Sequence, residues 1–462
     1  MRGSRDFWAN SRDRGPRLST VCTPCQTCTV RQAFSNTHLP ILEKEPAMSS
    51  KSRPEFGPYY MPDKWCLDRY MHTEEVRGTL DLPDRFYVRD TTIREGEETP
   101  GLSMTTQDKV RIAEKLYEAG VQQVDIGYVG AQQGHYETAK LIRQEIPELA
   151  ITGFARVWSA DWQRDVDRCQ ELEVAQVDVL QHPILIWASD EQVMELGPAR
   201  EELIPRTVEV IEYAKRCGLR VAYGHPDVSR TPWETLREFY SVTARAGIDL
   251  LILYEDGYGC PPGVQHLVRK IRDLVDVPLM IHCHDDLGLG TANVLTAVGA
   301  GAEAADLVVN GLGDKGGLTK MEEVVVALET HYGLSTGIRL EKLTELSRFV
   351  EEVTGFRRQI NKPLVGENAY IHEAELHVYC IVKGLWEAME GVHPHVIGQE
   401  RTVVFGSTTL HGEAVRARLD VTGHRYNSRD VELILDKLRE RLQTQPSLTL
   451  EEFDELARTV LA

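Results

Sequence analysis

The sequence predicts an α/β fold, a (β/α)8 TIM barrel followed by a mostly helical C-terminal domain. Three observations predict it. From Phe86 onward short apolar runs recur at intervals of roughly 25–45 residues, each followed by a longer amphipathic stretch, as a strand–helix repeat requires. Eight such units fit within about 250 residues, the size of a closed barrel. The first run lacks the glycine-rich phosphate loop that normally follows the first strand of an open doubly wound sheet.

The expected strands are 86–90, 123–127, 150–155, 176–180, 220–224, 249–253, 278–282 and 306–310. Between the first two, residues 105–119 place Val110, Ile112, Ala113, Leu116 and Tyr117 largely on one helical face, and Gly120 stops the helix. Segments 233–246, 264–274 and 291–300 have similar character. After about Tyr332 the rhythm ends. A helix over 338–354 follows, then Asn361-Lys362-Pro363, a polar segment with His372 and His377, and two helices over 431–443 and 450–461. The expected domains are an N-terminal extension over 1–80, disordered over about the first 46 residues, a barrel over 81–335 and a helical lid domain over 336–462.

A chain of 462 residues with 42% hydrophobic and 27% charged residues has the composition of a soluble globular protein. Its formal net charge of -19 opposes a sequence-independent grip on nucleic acid or on anionic lipid. No apolar run reaches the roughly 18–20 residues that span a bilayer, and the polar N-terminus lacks a secretory h-region. Nine scattered cysteines fit reduced thiols in a cytoplasmic protein. Cys22, Cys25 and Cys28 form a local cluster that could hold zinc or an iron–sulfur centre, but no well-spaced fourth ligand follows. The plainer expectation is an unstructured tail, or a chain that starts at Met48.

The chemistry concentrates at strand ends. In His282-Cys283-His284, alternate residues of an extended segment point the same way, so both imidazoles can face one ion. Two such histidines can equally be satisfied by hydrogen bonds. The segment Asp90-Thr91-Thr92-Ile93-Arg94-Glu95-Gly96-Glu97 leaves the first strand, which a closed barrel brings near the seventh. A carboxylate there completes a two-histidine, one-carboxylate site with open positions. Asp285 and Asp286 are candidates to orient the ligands.

Four blocks in order, DTTIREGEETPG, IHCHDDLGLGTANVLTAVGAGA, NGLGDKGG and NKPLVGENAYIHEAELH, resemble the signatures of the homocitrate synthase and 2-isopropylmalate synthase family of the DRE-TIM metallolyase superfamily. The resemblance spans about residues 86–419 and implies a metal-dependent Claisen condensation of acetyl-CoA with a 2-oxo acid. It implies Glu95, His282 and His284 as ligands of a divalent metal (Mg, Mn, Zn or Co), and Arg94 as the oxyanion-stabilising arginine. Asp125 resembles an acidic residue near the acceptor. His377 resembles the tail-domain histidine of acid–base work, which in a homodimer reaches the partner's barrel.

Several family positions differ. Ala222 stands where the homocitrate branch has an arginine for the distal carboxylate, and Pro226 replaces a glutamate that assists the histidine, leaving Asp227 as the nearest substitute. Gly257 and Leu318 replace a threonine and an asparagine. Retained machinery with altered acceptor positions implies an altered 2-oxo acid. The 2-phosphonomethylmalate synthases resemble members of this family, which makes phosphonopyruvate or another dicarboxylate-like 2-oxo acid the expected acceptor. Arg156, His225 and Arg230 are its candidate contacts. Two other functions compete: a lyase of the same superfamily, cleaving a 3-hydroxyacyl-CoA or a 4-hydroxy-2-oxo acid, and a non-catalytic barrel scaffold.

Overall fold

The computed structural model describes residues 59–181 and 200–462. Cys22, Cys25, Cys28 and Met48 lie outside the described residues. Eight parallel strands close into a barrel: β1 (Tyr87–Asp90), β2 (Gln123–Gly127), β3 (Ala150–Arg156), β4 (Gln176–Leu180), β5 (Val221–His225), β6 (Leu250–Glu255), β7 (Leu279–Cys283) and β8 (Ala304–Leu307). β8 pairs with both β7 and β1, so Asp306 stands beside His282 on one side and Arg89 on the other. The helices of the outer layer are α1 (Thr106–Glu118), α2 (Gln133–Glu145), α3 (Trp162–Glu171), α4 (Leu203–Arg216), α5 (Trp233–Ala246), α6 (Pro261–Arg272), α7 (Gly290–Gly299) and α8 (Met321–Ala327).

Local sequence explains the elements. α1 opens on a capping box, Thr105 with Asp108, and buries Val110, Ile112, Ala113 and Leu116. Full burial of each larger apolar side chain is worth about 1.5–3 kcal/mol. Strands such as β4 are buried at every position, because helices cover one face and the barrel interior fills the other. The eighth strand runs over Ala304–Leu307, earlier than the expected 306–310. Asn310 adopts φ 65°, which ends strand pairing, and its N–H donates to Glu322 while Ser347 takes up its side chain.

α9 (Leu343–Thr354) buries Leu343, Leu346 and Val350 in the same apolar core as the barrel. A second, smaller core lies beyond it, with Val378, Phe405, Leu435 and Phe453 among its members. It is built from α10 (Glu375–Val382), α11 (Glu413–Val421), α12 (Ser428–Arg441) and α13 (Leu450–Leu461) around a three-stranded sheet. That sheet comprises β9 (Ile371–His372), β10 (Thr402–Gly406) and β11 (Ser447–Thr449), with Phe405 stacked on Phe453 at 3.8 Å between ring centroids.

Ahead of the barrel, Tyr60–Met61 and Trp65–Cys66 form a short antiparallel hairpin. It is tied to the tail: Cys66 N–H donates to the Gly391 carbonyl at 2.8 Å, and His393 N–H donates to the Lys64 carbonyl at 2.7 Å. No helix among the described residues is long and apolar enough to cross a membrane.

Candidate metal centre

His282 is on β7 and His284 one residue past its end, so the alternation of extended backbone turns both rings into the barrel mouth. Cys283, between them, faces the other way and is buried against Glu255, where desolvation pushes its thiol well up. Glu95 arrives from the turn after β1, which closes when the N–H groups of Arg94 and Glu95 both donate to the Thr91 carbonyl. His282 Nε2 lies 3.8 Å from Glu95 Oε2, and His284 Nε2 lies 3.8 Å from Glu95 Oε1.

Those gaps are too long for hydrogen bonds. Two ligands sharing one ion through bonds of about 2.1 Å sit roughly 3–3.5 Å apart, close to what the side chains present. One donor atom from each of Glu95, His282 and His284 falls within 4.8 Å of the others. Among the described residues, buried Glu95 Oε1 has no hydrogen-bond partner. Burial opposes ionisation of Glu95, but Arg94, His282 and His284 outweigh it and hold the carboxyl below its ordinary range. Burial lowers His284 to about 4, so its ring is neutral near pH 7. A buried carboxylate oxygen and two imidazole nitrogens converging without bonds to one another fit a divalent cation.

Arg94 is fixed over this group. Its Nε donates to Asp125 at 2.7 Å, Nη1 pairs with Glu95 and reaches Glu98 at 3.3 Å, and the guanidinium lies 5.0 Å from the Phe154 ring centroid. Its buried Nη2 has no hydrogen-bond partner among the described residues. Asp125 also accepts from the Thr91 hydroxyl at 3.1 Å and the Gly127 N–H at 2.8 Å, so it serves as the anchor of Arg94. Gly127, at φ 81°, is needed here: a Cβ would come within 2.7 Å of Arg94 Cγ.

Beneath the mouth lies a charged interior absent from the sequence-based expectations. His282 Nδ1 is 3.0 Å from Asp306 Oδ2. Arg89 grips both oxygens of Asp306 at 2.5 and 2.7 Å and reaches Asp178 at 2.6 Å. The Tyr254 ring lies 4.6 Å from that of His282. Glu255, also unexpected, accepts the N–H groups of Gly257, Tyr258 and Gly259 and fixes the turn after β6. The available signal was one charged residue inside each of several apolar runs.

Other expected residues do not join the triad. The sequence offers His225 as a candidate contact for the acceptor. It faces the helical layer, 3.0 Å from the Tyr223 hydroxyl and against Phe239 and Tyr240, and burial lowers it to about 3. The inward positions of β5 are instead Ala222 and Gly224, where a Cβ on Gly224 would strike the Tyr254 ring. Asp227 is buried, at φ 54°, and pairs with Arg230 at 2.6 Å. Arg156 donates through Nε and Nη2 to Asp165 at 2.8 and 3.0 Å. Asp285 and Asp286 pair with Lys320 and Lys315 and shape their loops. In the tail, His377 is exposed on α10, its Nδ1 3.3 Å from His372 Nδ1. His372 Nε2 meets Glu390 at 2.9 Å, and Arg401 clamps that glutamate with two bonds of 2.7 Å.

A family model described as HMGL-like matches residues 85–350. The chain is 36% identical over 361 residues to a probable 2-isopropylmalate synthase of Methanopyrus kandleri, covering 78% of this chain and 70% of that protein. It is 35% identical over 393 residues to a homocitrate synthase of the same organism, covering 84% and 96%. Against an (R)-citramalate synthase of Methanocaldococcus jannaschii it is 33% identical over 354 residues, covering 76% and 70%. In three dimensions it resembles a Bacillus subtilis HMG-CoA lyase with a TM-score of 0.51 at 20% identity, covering 59% of this chain and 95% of that one, a likeness of fold alone.

Proposed function

The chain belongs to the HMGL-like family, and from that premise we propose that it is an acyltransferase condensing acetyl-CoA with a 2-oxo acid. Carbon–carbon bond formation gives a CoA thioester, and water then cleaves its C–S bond to release free CoA and a 2-hydroxy-2-(carboxymethyl) acid. The observation that carries this reading is the convergence of Glu95, His282 and His284 beneath the free Nη2 of Arg94. Relatives named as synthases, at 33–36% identity over most of the chain, support condensation over cleavage.

Glu95 Oε1 or Oε2 and the two Nε2 atoms would hold the divalent ion, and when bound that ion supplies Lewis-acid activation of the acceptor ketone. Arg94, held by Asp125, presents Nη2 as a donor to the oxygen that gains negative charge on attack. A donor of this kind is worth about 3 kcal/mol. Removal of the thioester methyl proton needs a general base, and His377 takes this role from the partner chain of a homodimer. His372 and Glu390 orient its ring.

For the far end of the acceptor, Arg156 is the described cation favoured by strand alternation. It shares a face of β3 with Phe154, one step nearer the mouth, and Asp165 occupies its Nε and Nη2 edges while Nη1 stays outside that pair. This arrangement supports a second anionic group on the acceptor, phosphonopyruvate among the candidates. The test is acetyl-CoA-dependent thiol release with phosphonopyruvate, oxaloacetate, 2-oxoglutarate, pyruvate and 2-oxoisovalerate. Release with at least one is expected. Silence with all, together with cleavage of a 3-hydroxyacyl-CoA, would replace the synthase with a lyase.

A further inference from the structure

Interior positions of a barrel are ordinarily filled by branched apolar side chains, which makes a charged residue there unusual. Arg89 is fully buried on β1, and its bonds go to Asp306 and Asp178, themselves fully buried on β8 and β4. Its fork is used in full: Nε and Nη2 hold the two oxygens of Asp306, and Nη1 holds Asp178. Gln176 Nε2 donates to the remaining oxygen of Asp178 at 2.8 Å, fixing that carboxylate as a counter-anchor.

The same Asp306 oxygen that Arg89 Nη2 grips faces His282 Nδ1 at 3.0 Å. A carboxylate can meet Nδ1 at that distance when the nitrogen carries the proton, which leaves the lone pair on Nε2, the atom turned toward Glu95. We propose that Arg89 is a positioning residue for the metal centre: by clamping Asp306 it fixes the tautomer and tilt of His282, so that Nε2 is presented to the ion. Arg89 touches neither ion nor substrate, and its effect passes through two side chains on two neighbouring strands. The proposal rests on the reading of Glu95, His282 and His284 as a metal site.

The test uses the full chain stripped of metal. Mn2+ is titrated by calorimetry and electron paramagnetic resonance, and the histidine tautomers of the metal-free protein are read from 15N chemical shifts. The variants are Asp306→Asn and the double change Arg89→Met with Asp178→Asn, which removes the guanidinium without stranding Asp178. Arg89→Lys, which keeps the charge but loses the fork, serves if the double variant does not fold. Expected are a single Nδ1–H tautomer at His282 in the parent, mixed tautomers in the variants, and Mn2+ affinity weaker by about 10–100-fold. Folded variants with parental Mn2+ affinity and an unchanged tautomer would overturn the proposal. A parent that binds no Mn2+ would instead sink the metal reading, and the tautomer measurement would still judge the role of Arg89.

Discussion

Arg94 holds one edge against Asp125, another against Glu95 and a face over Phe154, and keeps Nη2 in reserve. A lysine would keep the charge and lose that division of labour. Arg94→Lys is expected to lower kcat by about 10²–10³ with metal content unchanged, checked by steady-state kinetics and elemental analysis. Glu95→Gln should lose stoichiometric metal along with turnover. His377→Ala should lose turnover and keep the metal, since its ring lies beside His372 in the tail. His225 belongs to stability. Its pKa falls from 6.5 to about 3 on burial, so the unfolded chain takes up a proton between those values and the folded chain does not. Its presence therefore costs stability as pH falls through about 6.5. His225→Leu should lose less melting temperature than the parent between pH 7 and pH 5.

Elements were legible where the sequence pattern is local. β2 and β4 run over the expected residues because each is a short apolar run between helices. β8 was misplaced because Ala304 and Ala305 carry too little side chain to announce a strand, and because the left-handed turn at Asn310 cannot be read from periodicity. The sheet of β9, β10 and β11 escaped because its strands meet across long stretches of chain. The same limit explains the site. Strand alternation places His282 beside His284, and ring closure brings Glu95 near them. Arg89, Asp178 and Asp306 gain meaning once three separate strands share one interior. At this scale Gly127 is the glycine that bears on Arg94. Gly127→Ala combines a strained φ with a clash on Arg94 and should lower both melting temperature and kcat, at a cost of about 1–3 kcal/mol in backbone strain.

For the whole molecule, the proposed role of His377 calls for a partner barrel, and the residue is exposed on the single chain. If each site draws metal ligands from one chain and the base from the other, neither Glu95→Gln nor His377→Ala protein alone will turn over. Subunit exchange between them should restore part of the activity, because some mixed dimers pair an intact ligand set with an intact His377. Absence of any recovery after confirmed exchange would place base and metal on the same chain.

The hairpin of Tyr60–Met61 and Trp65–Cys66 has a mechanical consequence of its own. Cys66 and Lys64 are stitched to Gly391 and His393 on either side of Val392, which packs in the barrel's own apolar core, so the first described residues close onto the same body as the barrel. The hairpin thereby ties the approach to β1, the strand that bears Arg89 and leads into Glu95, to a segment far later in the chain.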